Sequence, residues 1–76
     1  MLLARLRALA GYEVCRILES QGYEFVRQRG SHIIMQRRQV ERTETVPVPN
    51  HKELDRGTLK GIIALANVSS ELFEVS

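Results

Sequence analysis

The stretch Arg27-Gln28-Arg29-Gly30-Ser31-His32 brings a histidine and two guanidinium groups to one tight turn. Histidine as a residue type changes charge near neutral pH and can give or take a proton there. Arginine binds the oxygens of a phosphate through a fixed fork of donors. A two-residue turn at Arg29-Gly30 sets Arg27 directly opposite His32, and directly opposed residues of an antiparallel pair share a face. A fixed cation beside an imidazole suits phosphate chemistry.

Other chemistries fit these residues less well. Ser31 and His32 are adjacent, but successive residues of a strand point to opposite faces, so they do not form a hydrolytic pair and Ser31 reads as a turn residue. The acids, Glu13, Glu19, Glu24, Glu71 and Glu74 among them, are scattered over the helices and the tail and do not converge on a histidine. No glycine-rich loop follows a strand and opens a helix, and Gly57-Thr58 is too little to cradle a nucleotide. Cys15 stands alone on a helical face and reads as a small packing residue. His51, in a loop after Pro49, reads first as a surface or hydrogen-bonding residue.

Acid–base work on a substrate that carries its own nucleophile remains. RNA is such a substrate, because its 2′-hydroxyl attacks the adjacent phosphate once a base removes the proton. His32 would serve as general base or general acid, with Arg27 and Arg29 stabilising the charge that builds on phosphorus. This route needs no metal and no cofactor. Lys52, Arg56 and Lys60 are candidates to extend a phosphate-binding track from that centre.

The elements that must position these groups follow from periodicity. Val14, Ile17 and Leu18 form one helical face over Tyr12 to Gln21, and Gly22 is a left-handed stop. Tyr23 to Gln28 and Ser31 to Arg38 read as a hairpin, with Val26, Ile33 and Met35 on a core face and Arg27, His32 and Gln36 on a working face. Phe25 and Ile34 then fall on the His32 face, as an apolar patch for a partner or a sign of a different turn. Gln39 to Arg42 turn into a third strand, Thr43 to Val48, where Pro47 and Pro49 demand a sheet edge. After the loop Asn50 to Asp55, Leu59, Ile62, Ile63 and Ala66 mark a second helix ending near Asn67. Ser69 caps a last short helix, with Val68 and Phe73 placed as a hydrophobic staple. Residues 1–10 carry no capping signal and suit an extended arm or a frayed helix. The expected fold is a single α+β domain over residues 1–76, ordered α-β-β-β-α, with a three-stranded antiparallel sheet, helices on one face and a short C-terminal helix.

Composition bounds this reading. A chain of 76 residues buries only about 60% of its unfolded surface, so the core is compact. One cysteine forms no internal disulfide, and no Cys/His set has zinc spacing. No apolar run approaches a membrane span, which together with the charged Arg5 and Arg7 suggests a cytoplasmic protein. The net charge of +2 is mild, but between Arg27 and Arg42 the only acid is Glu41 against Arg27, Arg29, Arg37, Arg38 and Arg42. A local basic face of this kind is expected of phosphate binding.

Three blocks, Gly22-Tyr23-Glu24-Phe25-Val26-Arg27-Gln28-Arg29-Gly30-Ser31-His32, Val46-Pro47-Val48-Pro49-Asn50-His51-Lys52-Glu53-Leu54 and Arg56-Gly57-Thr58-Leu59-Lys60-Gly61-Ile62-Ile63, closely resemble the HicA-like toxins. The likeness runs in order from about Gly11 to Phe73. It implies a fold like the double-stranded RNA-binding domain and an endoribonuclease of a type II toxin–antitoxin pair, an mRNA interferase whose essential histidine corresponds to His32. It also implies a HicB-like antitoxin covering the active site, for which Ile34 on the His32 face is a candidate contact. Where relatives commonly carry basic and polar residues late in the second helix and then a glycine, this chain has Ala64-Leu65-Ala66-Asn67. Part of the basic surface is therefore absent. Two alternatives to an active nuclease stay open: a non-catalytic RNA-binding domain, and an attenuated toxin acting through protein contacts.

Overall fold

A computed structural model describes residues 5–75. The chain runs β1 (Arg5–Leu6), α1 (Gly11–Glu19), β2 (Glu24–Arg29), β3 (His32–Arg38), β4 (Thr43–Pro49), α2 (Arg56–Ala66), a 3-10 turn (Ser70–Phe73) and β5 (Glu74–Val75). Strands β2, β3 and β4 form an antiparallel sheet with β3 central, so β4 with its two prolines is an edge as expected.

Local chemistry explains where the helices begin and end. Glu13 reaches back to accept the Ala10 amide at 2.8 Å and satisfies one of the free donors at the start of α1. Gly22, at φ 93°, ends it, with Tyr23 N–H donating to the Leu18 carbonyl and Gly22 N–H to that of Glu19, the paired bonds of a Schellman stop. In α2 the Asp55 carboxylate accepts from both the amide and the hydroxyl of Thr58, at 3.2 and 2.6 Å. Asn67 closes α2 in the left-handed conformation at φ 55°, and Ser69 caps the 3-10 turn through the Glu71 amide.

Both helices cover one face of the sheet. Val14, Cys15 and Leu18 of α1 and Leu59, Ile62, Ile63 and Ala66 of α2 pack with Ile33 and Met35 of β3, Val46 and Val48 of β4, and Tyr23 and Phe73. Cys15 is part of this core, where burial first and then the Glu19 charge push its thiol up to about 11. It is a packing residue, as its helical position suggested.

The structure departs from the sequence reading in three places. The segment before α1 is not loose from Arg5 onward: Arg5 pairs with Val75 and Leu6 with Glu74, the Arg7 amide donates to the Phe73 carbonyl at 2.7 Å, and Leu9 is fully buried. Residues 1–4 lie outside the described residues. The hairpin turn is Gly30-Ser31 rather than Arg29-Gly30, since Arg29 pairs with His32. Gly30 has φ 56° and Ser31 does not have positive φ, the pattern of a type II′ turn, which demands glycine first. Finally, β2 carries a bulge between Phe25 and Arg27. That extra residue puts Phe25 opposite Met35, on the helix side, and removes it from the His32 face.

Candidate active site

His32 opens β3 and is flanked across the ladder by Arg29 of β2 and Pro49 of β4. The next residues on that face are Ile34, paired with Arg27 and Pro47, and Gln36, paired with Glu24 and Thr45. His32, Arg27 and Arg29 are all exposed, on the side of the sheet that neither helix covers. The turn is one residue later than expected, so the cation opposite His32 is Arg29 instead of Arg27. The two arginines still share the face because the slip moves the pairing by a full pleat of two residues.

Ile34 does lie on the His32 face, as read from the sequence, but it is only 8% exposed. A partner covering His32 would meet the exposed Arg27 and Pro47, its cross-strand neighbours, before Ile34 itself.

The basic cluster between residues 27 and 42 is divided by the fold. Arg37 points to the helix side: its Nε donates to Glu44 at 2.8 Å, and its two terminal nitrogens reach the carbonyl oxygens of Gln21 and Ala66, each at 3.0 Å. Its guanidinium also lies over the Tyr23 ring. Glu44 sits opposite Arg37 in the register and is contacted from its other side by Arg42 at 3.6 Å. The Gln39 amide first, and Arg37 next, hold the Glu44 carboxyl below the usual carboxylate range. Arg37 therefore belongs to the interior and does not contribute to a phosphate-binding face, contrary to its place in the sequence cluster. Strand alternation from Met35, buried on the same side, is the signal that separates it from Arg38.

Lys52 is exposed on the β4–α2 connection, three residues beyond the Pro49 that flanks His32. Arg56 and Lys60 are exposed residues of α2. Arg56 borders a depression of about 160 Å³ with Leu6, Arg7, Leu54 and Leu59, and Lys60 one of about 270 Å³ with Leu6, Ile63 and Glu74. No residue of the β2–β3 hairpin lines either depression.

A groove of about 290 Å³ between α1 and β2 was not legible beforehand, because it depends on the bulge that redirects Phe25. Tyr12 and Phe25, 60% and 58% exposed, stand on its walls with Arg16 and Gln28, over Cys15 and Ile33. Among the described residues no three His, Cys, Asp or Glu side chains group as metal ligands, and no helix is long and apolar enough to cross a membrane.

No curated protein matches the chain. The family described as the HicA toxin of bacterial toxin–antitoxin systems matches residues 11–68, from the first residue of α1 to just beyond the left-handed stop of α2. That span contains the whole three-stranded sheet and the exposed pairing of His32 with Arg29, and the chain belongs to the HicA toxins.

Proposed function

We propose that this HicA toxin is an endoribonuclease that cuts mRNA by proton transfer at His32, and that its partner in the toxin–antitoxin pair is a HicB-like antitoxin covering that centre. The observation that carries the reading is the direct opposition of His32 and Arg29 on the solvent face of the sheet, with Arg27 beside Ile34 on the same face. In the reaction the 2′-oxygen forms a bond to phosphorus while the bond from phosphorus to the 5′-oxygen breaks. A base takes the 2′-hydroxyl proton, an acid supplies one to the departing 5′-oxygen, and the products are a 2′,3′-cyclic phosphate and a 5′-hydroxyl. His32 performs one of these transfers, and the two guanidinium groups stabilise the extra negative charge on the non-bridging oxygens. The scheme needs no metal ion.

The test is RNA integrity in a bacterial host after induction of wild type and His32→Ala at matched levels of folded protein. Fragmented RNA and growth arrest with wild type alone support the proposal. Intact RNA with both variants overturns the nuclease and leaves an RNA-binding domain or an attenuated toxin; fragmentation with both moves the centre away from His32.

A further inference from the structure

Cleavage of an RNA diester requires two proton transfers on opposite sides of phosphorus, and His32 supplies one. We propose that His51 supplies the other, so that the two histidines of the chain form an acid–base couple around one scissile phosphate; this rests on the ribonuclease reading above.

The fold brings the two residues together although they are far apart in sequence. Pro49 pairs with His32 at the end of the β3–β4 ladder. Past that pair the Asn50 N–H donates to the Ser31 carbonyl oxygen at 2.7 Å, which ties the residue before His51 to the residue before His32. Peptide dimensions on either side of that 2.7 Å bond keep the two Cα atoms within about 11 Å. Imidazoles on bases so spaced can reach both sides of one phosphate diester. Both side chains are exposed, so neither is committed to the core.

The position of His51 is also held from below. Its carbonyl oxygen accepts the Gly11 N–H at 2.9 Å, at the first residue of α1. A β-carbon on Gly11 would collide with the Pro49 carbonyl oxygen and lie 3.1 Å from the Asn50 Cα, so only glycine lets the helix start approach this connection so closely. The segment Pro49–His51 is therefore gripped between the Ser31 carbonyl and the start of α1. Pre-placement of a proton donor or acceptor is what proton transfer in a transition state requires. Arg29 pairs with His32 across the ladder and Lys52 follows His51 in the chain, so each histidine has an exposed cation as a backbone neighbour, suited to a phosphate.

The experiment uses a short RNA carrying, at one defined linkage, either the normal 5′-oxygen or a bridging 5′-sulfur, whose thiolate departs without a proton. With the oxygen substrate, His32→Ala and His51→Ala each slow cleavage by at least about 100-fold. With the sulfur substrate one variant, the one lacking the acid, returns to within about tenfold of wild type while the other stays slow. His51→Gln behaves as His51→Ala, and matching thermal melts show that the exposed substitutions leave the fold intact. Wild-type rates for His51→Ala, or rescue of both variants or of neither, overturn the couple while leaving the nuclease in place. Failure of wild type to cut the oxygen substrate overturns the ribonuclease reading and the couple with it.

Discussion

Arg37 and Tyr23 converge on one acceptor: the tyrosine hydroxyl donates to the Ala66 carbonyl oxygen at 2.8 Å and an Arg37 terminal nitrogen donates to the same oxygen at 3.0 Å, with the guanidinium 4.7 Å from the ring centroid. Ala66 is the last residue of α2, whose terminal carbonyls have no partner within the helix. Arg37 also bonds the Gln21 carbonyl just past α1. One side chain of the central strand thus closes the ends of both helices onto the sheet.

Arg37→Leu is expected to cost about 2 kcal/mol from the two carbonyl bonds and the ring contact alone, without the Glu44 pair. Tyr23→Phe, which leaves Arg37 on the same acceptor, costs about 1 kcal/mol. Thermal melts read both, since 1 kcal/mol corresponds to roughly 4–8 °C for a domain of this size. A loss for Tyr23→Phe as large as that for Arg37→Leu would contradict the sharing of the acceptor.

The two glycines beside the site carry different constraints. Gly11→Ala sets a β-carbon against the Pro49 backbone, which no side-chain rotation relieves, and is expected to cost at least about 2 kcal/mol. Gly30→Ala meets no atom within 4 Å and pays only for its positive φ, about 1 kcal/mol. Chemical denaturation of the two variants should rank them in that order, although Gly30 is the one with the unusual backbone.

Arg27 and Arg29 are exposed, and under the proposed function they bind phosphate, so their loss should alter RNA binding and its salt dependence more than stability. In a His32→Ala background that prevents cleavage, Arg27→Ala and Arg29→Ala are each expected to reduce the slope of log K against log salt by about 0.7, the value for one contact to a single strand. Fluorescence anisotropy across a salt series measures it. Arg37 is excluded from this set by its position, and an equal loss of slope for an Arg37 variant that is still folded would place it back on the RNA surface.

Two carboxyls link stability to acid. The Gln39 amide first and then Arg37 hold Glu44 below its usual range, and the Thr58 hydroxyl first and then the Thr58 amide do the same for Asp55. In each case the folded state favours the ionised form, so the stabilisation is complete above the unfolded values near pH 4 and is lost as pH falls through the lowered folded values. The melting temperature of wild type should therefore decline from about pH 5 downward. Combining Glu44→Gln with Asp55→Asn should flatten that decline while lowering the plateau above it.

The ends and faces of the helices were legible in the sequence because they rest on local terms. Gly22 and Asn67 tolerate the left-handed backbone that stops a helix, and the apolar positions Val14 and Leu18, or Leu59, Ile62, Ile63 and Ala66, repeat with the helical turn whatever they pack against. The edge position of β4 also followed locally, from two prolines without amide donors. The tertiary structure decided the rest. The bulge after Phe25 and the turn at Gly30-Ser31 set which arginine stands opposite His32, and a register is chosen by the packing of a whole face. Arg37 became an interior residue because Glu44, Tyr23 and two helix ends meet around it, and the Arg5–Leu6 strand exists because Glu74–Val75 returns to it. The approach of His51 to His32 depends on backbone bonds from Asn50 to Ser31 and from Gly11 to His51, contacts between segments whose separation along the chain carries no signal in residue type or spacing.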